Sequence, residues 1–198
     1  MRVILASKSP RRREILAMLG VDFEIISADA DESSTEENPA ALVTELSLRK
    51  GRAVRELLEK QGTWNADTLI IASDTVVAAE GKILGKPTDE ADAARMLRLL
   101  SGSTHEVVSG VALLCGDREL AAAEHTGVRF AEMSDTEIDW YVKSGEPADK
   151  AGAYAVQGLA SLFIKGLDGD YFNVVGLPVY RLNNLVKELL GRTLTELS

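Results

Sequence analysis

Two apolar stretches, Leu69-Ile70-Ile71-Ala72 and Val76-Val77-Ala78-Ala79, are separated by nothing but Ser73-Asp74-Thr75. A run this apolar and β-branched reads as a strand inside a sheet. The chain must therefore build a sheet around an aspartate. A carboxylate in such a place risks desolvation unless it is paired, coordinated to a metal or open to a crevice. The three polar residues are expected to interrupt the strand, and a turn aspartate bonded to its own backbone is the plain alternative. At the carboxyl end of a strand, facing a crevice, Asp74 could hold Mg²⁺ or Mn²⁺ and activate water.

The rest of the chain supplies partners for that strand. Val3 to Ala6 is a short apolar run, expected as a buried strand, and Ser9-Pro10 starts a helix with serine as cap and proline in the first turn. Ile15, Leu16, Met18 and Leu19 give that helix an apolar face, and Gly20 ends it. Phe23 to Ile26 reads as a second strand. Pro39 to Lys60 is a long amphipathic helix with Leu42, Leu46, Ala53, Leu57 and Leu58 as core positions. Beyond Gly85-Lys86-Pro87, Thr88 is expected to cap a helix that buries Ala93, Met96, Leu97 and Leu100. Glu106–Cys115 and Leu120–Phe130 flank Gly116-Asp117 as a hairpin, and Ser134-Asp135-Thr136-Glu137 is a capping box. Leu159 to Lys165 reads as strand, and a final helix after Pro178 carries Leu182, Leu185, Val186 and Leu189 up to Gly191. Strands intermingled with helices favour an α/β or α+β fold with a mixed sheet.

Charge is sorted along the chain. With 22 basic and 31 acidic residues the net charge is −9, which disfavours duplex nucleic acid and anionic membrane as partners. Against that background Lys8, Arg11, Arg12 and Arg13 concentrate positive charge at the start of the first helix, where the macrodipole disfavours cations. An anion docked there removes the conflict, because helix N–H groups and guanidinium forks converge on phosphate oxygens; a solvated basic face is the alternative. Asp29, Asp31, Glu32, Glu36 and Glu37 form an acidic loop, of which Glu32 is the best candidate for a second carboxylate.

Several chemistries are excluded. Gly81 to Thr88 has three residues between its glycines and a proline before the threonine, so it is no P-loop. His105 and His125 share no metal-ligand spacing with Cys115. That lone cysteine rules out an internal disulfide and reads as a core thiol. No apolar run approaches the about 20 residues of a membrane helix, so a cytoplasmic protein is expected. The 198 residues suit one domain or two closely joined lobes.

Six ordered motifs bring a family into view. They are Leu5-Ala6-Ser7-Lys8-Ser9-Pro10-Arg11-Arg12, Ala72-Ser73-Asp74-Thr75-Val76-Val77, Leu84-Gly85-Lys86-Pro87, Leu100-Ser101-Gly102-Ser103-Thr104-His105-Glu106-Val107, Asp149 to Gly158 and Gly169 to Pro178. Across nearly its whole length the chain resembles the Maf family of nucleoside triphosphate pyrophosphatases. The resemblance implies a mixed twisted sheet with flanking helices, one domain over residues 1–198 with two lobes around a cleft, similar to the inosine triphosphate pyrophosphatases. It implies hydrolysis between the α- and β-phosphates with a divalent cation, Mg²⁺ or Mn²⁺, and a nucleoside triphosphate as the partner molecule. Homodimers are frequent in the family, and a regulatory role through a cell-division partner is the competing function.

On the same resemblance Asp74 matches the catalytic carboxylate and a metal ligand, with Glu32 as the second ligand. Ser7, Arg11, Arg12, Lys50 and Lys86 match polar positions lining the family's cleft. Arg11 after Ser-Pro, Thr75 after the aspartate and Gln157 resemble the branch acting on dTTP and UTP; the branch acting on 7-methyl-GTP carries tryptophan and glutamate at the first and last of these positions. Lys8 and Ser73 stand where glycine is frequent in relatives. A carboxamide at Gln157 donates and accepts together, which suits the alternating edge of a pyrimidine.

Overall fold

The computed structural model describes residues 1–197. Its centre is a seven-stranded mixed sheet in the order β2-β1-β3-β5-β6-β7, with β4 paired to β3. Strand β1 (Arg2–Leu5) lies parallel to β2 (Glu24–Ile25) and to β3 (Thr68–Ala79), Arg2 opposite Thr68 and Leu5 opposite Ile71. The apolar run predicted around Asp74 is β3, and it is continuous: Ser73-Asp74-Thr75 does not break it. Its polar residues survive inside the strand because Ser73 finds a hydrogen bond (below) and Asp74 an ion pair. β4 (Lys82–Leu84) turns back antiparallel on β3, and β5 (Thr104–Cys115) and β6 (Arg118–Phe130) follow one another across Gly116-Asp117, as the turn signal requires. β7 (Ile164–Gly169) pairs antiparallel with β6. The strand expected from Leu159 begins late, because Leu159–Leu162 is a 3-10 turn.

Helix α1 (Pro10–Met18) starts at Ser9 with proline in its first turn. Ser9 makes no side-chain cap; its own N–H instead donates to Ser7 Oγ at 3.2 Å. Ile15 and Leu16 are buried, whereas Met18, expected on the apolar face, is exposed. Helix α2 (Pro39–Lys60) has the expected bounds, capped by Asn38. Helix α3 (Glu90–Leu100) is capped by Asp89 and not by Thr88, whose N–H bonds the Asp92 carboxylate. Helix α4 (Asp135–Lys143) opens on the full capping box. A short α5 (Tyr171–Val175) precedes α6 (Val179–Leu190), which ends at Gly191 in the left-handed conformation. No helix among the described residues is long and apolar enough to cross a membrane.

Two compact units share the chain, and β3, β5 and β6 each pass from one to the other. The first comprises residues 1–74, 109–124 and the segment from Gly176 onward. Its core joins Ile4, Ala6, Ile70, Ala72, Ala112 and Leu114 to Val54 and Leu58 of α2. The stripe α2 buries is Val43, Leu46, Ser47, Gly51, Val54 and Leu58; Leu42, Ala53 and Leu57 are half-buried. Size explains the shift. A Cβ on Gly51 would stand 2.4 Å from Leu114, and one on Gly110 would stand 2.2 Å from the Val43 carbonyl oxygen, so the helix rides on the strand where side chains are smallest.

The second unit, residues 75–108 and 125–175, is built around rings. His105, Phe130 and Tyr154 meet edge-on with centroids about 5 Å apart, and Tyr141 meets Phe163.

Candidate active site

In the first unit Asp74 and Lys50 meet. Lys50 projects from the middle of α2 and its Nζ donates to Asp74 Oδ1 at 2.5 Å, with both side chains largely shielded from solvent. The same ammonium lies 3.2 Å from Oε1 of Glu32, which comes from the acidic loop and is mostly exposed. Three elements thus deliver one cation and two carboxylates to one point. The close seating of α2 over Gly110 and Leu114 is what carries Lys50 to β3.

Arg12 forms the second part. Its Nε donates to the Gly176 carbonyl at 2.8 Å and its Nη1 to Ser7 Oγ at 3.4 Å. The same carbonyl accepts from Ser73 Oγ at 3.0 Å. Gly176 has φ +121°, a conformation open to glycine, and so turns its carbonyl toward both donors. Burial pulls the Arg12 guanidinium below its usual pKa; the negative charge of Asp74 opposes this, Arg11 adds to it, and Glu32 opposes it too. Arg11, Arg12, Asp74 and Glu32 thus share one electrostatic neighbourhood. Arg11 is half-exposed and has no hydrogen bond or ion pair among the described residues. With Lys50, the cluster sets three cations against two carboxylates. The first turn of α1 contains no acidic residue, although that end of a helix favours negative charge.

The donor set suits a hard divalent cation. Two carboxylates converge on a single positive group, and Mg²⁺ or Mn²⁺ is commonly held by one or two carboxylates with substrate phosphates completing the shell. No group of three or more His, Cys, Asp or Glu side chains with metal-holding geometry exists among the described residues.

The remaining candidates lie in the second unit. Thr75 follows Asp74 on β3 and is half-buried. Lys86 and Gln157 are exposed. Their segments are tied together, because Gly152 N–H donates to the Gly85 carbonyl at 3.0 Å and a Cβ on Gly152 would overlap Val77. Cys115 is a core thiol, its Sγ donating to the Ala66 carbonyl at 3.4 Å. Neither Gly176 nor Arg49, which braces the acidic loop, carried an assigned role in the sequence. Gly176 was one of many glycines, and a backbone acceptor has no residue-type signature; Arg49, next to Lys50, belonged to no motif in the sequence.

Residues 2–189 match the family described as Maf-like protein. The chain belongs to the Maf family. Among relatives, a dTTP/UTP pyrophosphatase of Symbiobacterium thermophilum is 48% identical over 181 residues, covering 91% of this chain and 90% of that protein. A dTTP/UTP pyrophosphatase of Bacillus cereus (strain AH820) is 46% identical over 188 residues, covering 94% and 95%. The structure of the Staphylococcus aureus Ham1 protein aligns with a TM-score of 0.48 at 15% identity, over 67% of this chain and 73% of that one.

Proposed function

We propose that this chain hydrolyses dTTP and UTP between the α- and β-phosphates, releasing the nucleoside monophosphate and pyrophosphate. The observation that carries the reading is Asp74, a carboxylate inside an apolar strand held by Lys50 at 2.5 Å, in a chain nearly half identical to a dTTP/UTP pyrophosphatase.

Lys50 holds the Asp74 carboxylate in place through its hydrogen bond, and a proton acceptor must be oriented in this way. Asp74 takes the proton as a water oxygen bonds to the α-phosphorus; the bond from that phosphorus to the α–β bridging oxygen breaks, and its electron pair leaves on pyrophosphate. Arg11, Arg12 and the N-terminal end of α1 bind phosphate oxygens and draw off the charge that grows there. Asp74 and Glu32 would hold a divalent cation, Mg²⁺ or Mn²⁺, whose contribution is to neutralise charge on the phosphate oxygens. Ser7 and Arg12 brace one another at the mouth of α1. Thr75, Lys86 and Gln157 are assigned to substrate, with the Gln157 carboxamide reading the pyrimidine edge. Such an enzyme clears nucleotides from the pool of the cytoplasm.

Incubation with a panel of triphosphates and Mg²⁺ or Mn²⁺, with products resolved by ion exchange, tests this. Expected are monophosphate and pyrophosphate from dTTP and UTP ahead of purine nucleotides, abolished by chelator and restored by metal. Release of inorganic phosphate with a diphosphate, or no turnover, overturns it.

A further inference from the structure

Glu32 sits in a segment with nothing apolar to hold it. Residues 31–38 are all exposed and form neither helix nor strand, and the run of carboxylates repels itself. From outside the segment, the backbone on either side of Glu32 is nevertheless held by hydrogen bonds from one side chain. Arg49 Nη1 donates to the carbonyl of Asp31 at 3.1 Å and to that of Ser33 at 2.6 Å, the residues on either side of Glu32. Its Nη2 donates to Glu45 Oε1 at 2.5 Å, one turn back along α2. The other oxygen of Glu45 accepts from Ser34 Oγ at 3.1 Å. Glu45 therefore grips both the guanidinium and the loop the guanidinium holds. Lys50, the next residue on α2, meets the Glu32 carboxylate itself.

We infer that Arg49, clasped by Glu45, is a positioning residue that fixes the Glu32 carboxylate beside Asp74 for a divalent cation. The inference rests on the role proposed above for Glu32. The planar fork matters: one guanidinium can span two carbonyls and a carboxylate at once, whereas an ammonium has no such flat, fixed array. Outer partners of this kind tune a metal site by orienting its ligands, and their loss commonly costs about 10–100-fold in metal affinity or activity.

The test uses the full chain and four variants: Arg49→Ala, Arg49→Lys, Glu32→Gln and the double variant Arg49→Ala/Glu32→Gln. Mn²⁺ is titrated calorimetrically without nucleotide, and kcat and KM for dTTP are measured alongside. Arg49→Ala is expected to weaken Mn²⁺ binding about tenfold and to lower kcat by a similar factor, with KM for dTTP changed less than about twofold. Arg49→Lys should fall between. On the Glu32→Gln background, Arg49→Ala should change neither quantity further, because its effect passes through Glu32. Equal losses on both backgrounds, unchanged Mn²⁺ binding in Arg49→Ala, or a wild-type chain that binds no Mn²⁺ would overturn the inference. Should Arg49→Ala fail to fold, Glu45→Gln, which loosens the clasp and keeps the guanidinium, replaces it with the same expected outcomes. Because Mn²⁺ binding is read without nucleotide, a chain that binds the ion and turns over nothing would refute the proposed reaction and leave this inference standing.

Discussion

The two units solve the problem of a stable interior in opposite ways. The first packs backbones closely: Gly51, Gly110, Ser47 and Ala72 let α2 lie against the sheet, and the helix then delivers Lys50 to Asp74. The second fills its volume with Phe130, Tyr141, Tyr154 and Phe163 and buries an uncharged polar side chain among them. His105 is the example: its Nε2 shares a hydrogen bond with the Tyr154 hydroxyl at 2.8 Å, its Nδ1 has no hydrogen-bond partner among the described residues, and burial pushes its pKa down to about 4. Where small residues bring elements close, charged side chains are held in place; where rings fill the core, the candidate substrate residues Lys86 and Gln157 stay at the surface. The contrast sets a fixed charge cluster against exposed candidate residues.

Gly110→Ala attacks the first strategy directly. Its Cβ would stand 2.2 Å from the Val43 carbonyl oxygen and 2.8 Å from Ser47 Oγ, so α2 must move as a body. We expect a loss of about 2–4 kcal/mol in denaturant unfolding and a fall in kcat of roughly tenfold or more in the folded protein, because Lys50 moves with the helix. Phe163→Leu is the matching lesion in the second unit. It should lower stability by about 1–2 kcal/mol and leave kcat nearly unchanged; a kcat loss as large as that of Gly110→Ala would erase the distinction.

The buried histidine gives the second unit a pH signature. Its folded pKa lies below the unfolded value of about 6.5, so the unfolded chain binds the extra proton between pH 6.5 and 4. The stability this group contributes is full above that window and is lost as pH falls through it, by on the order of 3 kcal/mol at most. Urea midpoints at pH 7 and 4.5 should show a smaller drop for His105→Gln than for wild type, and identical drops would refute the assignment.

The smallest effect concerns recognition. Gln157→Glu removes a donor from an exposed side chain. Turnover of dTTP and UTP is expected to fall about tenfold, turnover of 7-methyl-GTP to rise, and the melting temperature to stay put. Pyrimidine turnover unchanged, with no gain on 7-methyl-GTP, would remove Gln157 from the specificity site.

Much of this was legible in the residues. The apolar strand around Asp74, the proline-led α1, the capping box at Ser134 and the final helix ending at Gly191 all follow from local chemistry that tertiary contacts do not overrule. The misplacements have one cause: periodicity counts apolar residues, while packing selects shape. On α2 the buried face runs through Ser47 and Gly51, which hydropathy ignores. At Thr88 two consecutive residues could cap, and Asp89 took the role because its carboxylate accepts the Asp92 N–H. In the site, side chains named by type were found together where their elements meet: Asp74, Lys50, Glu32 and Arg12. The Gly176 carbonyl, shared by Arg12 and Ser73, and the Arg49 clasp on the loop stayed hidden, since both work through backbone groups that every residue possesses.

The most direct measurement is pyrophosphate release by Asp74→Asn, with dTTP binding followed in parallel. Asparagine keeps the shape and an oxygen for Lys50 but cannot take up the proton. A fall of about 10³-fold in release, with dTTP binding held within a few fold, is the expected result. Release within tenfold of wild type would contradict the assignment of the chemistry to Asp74.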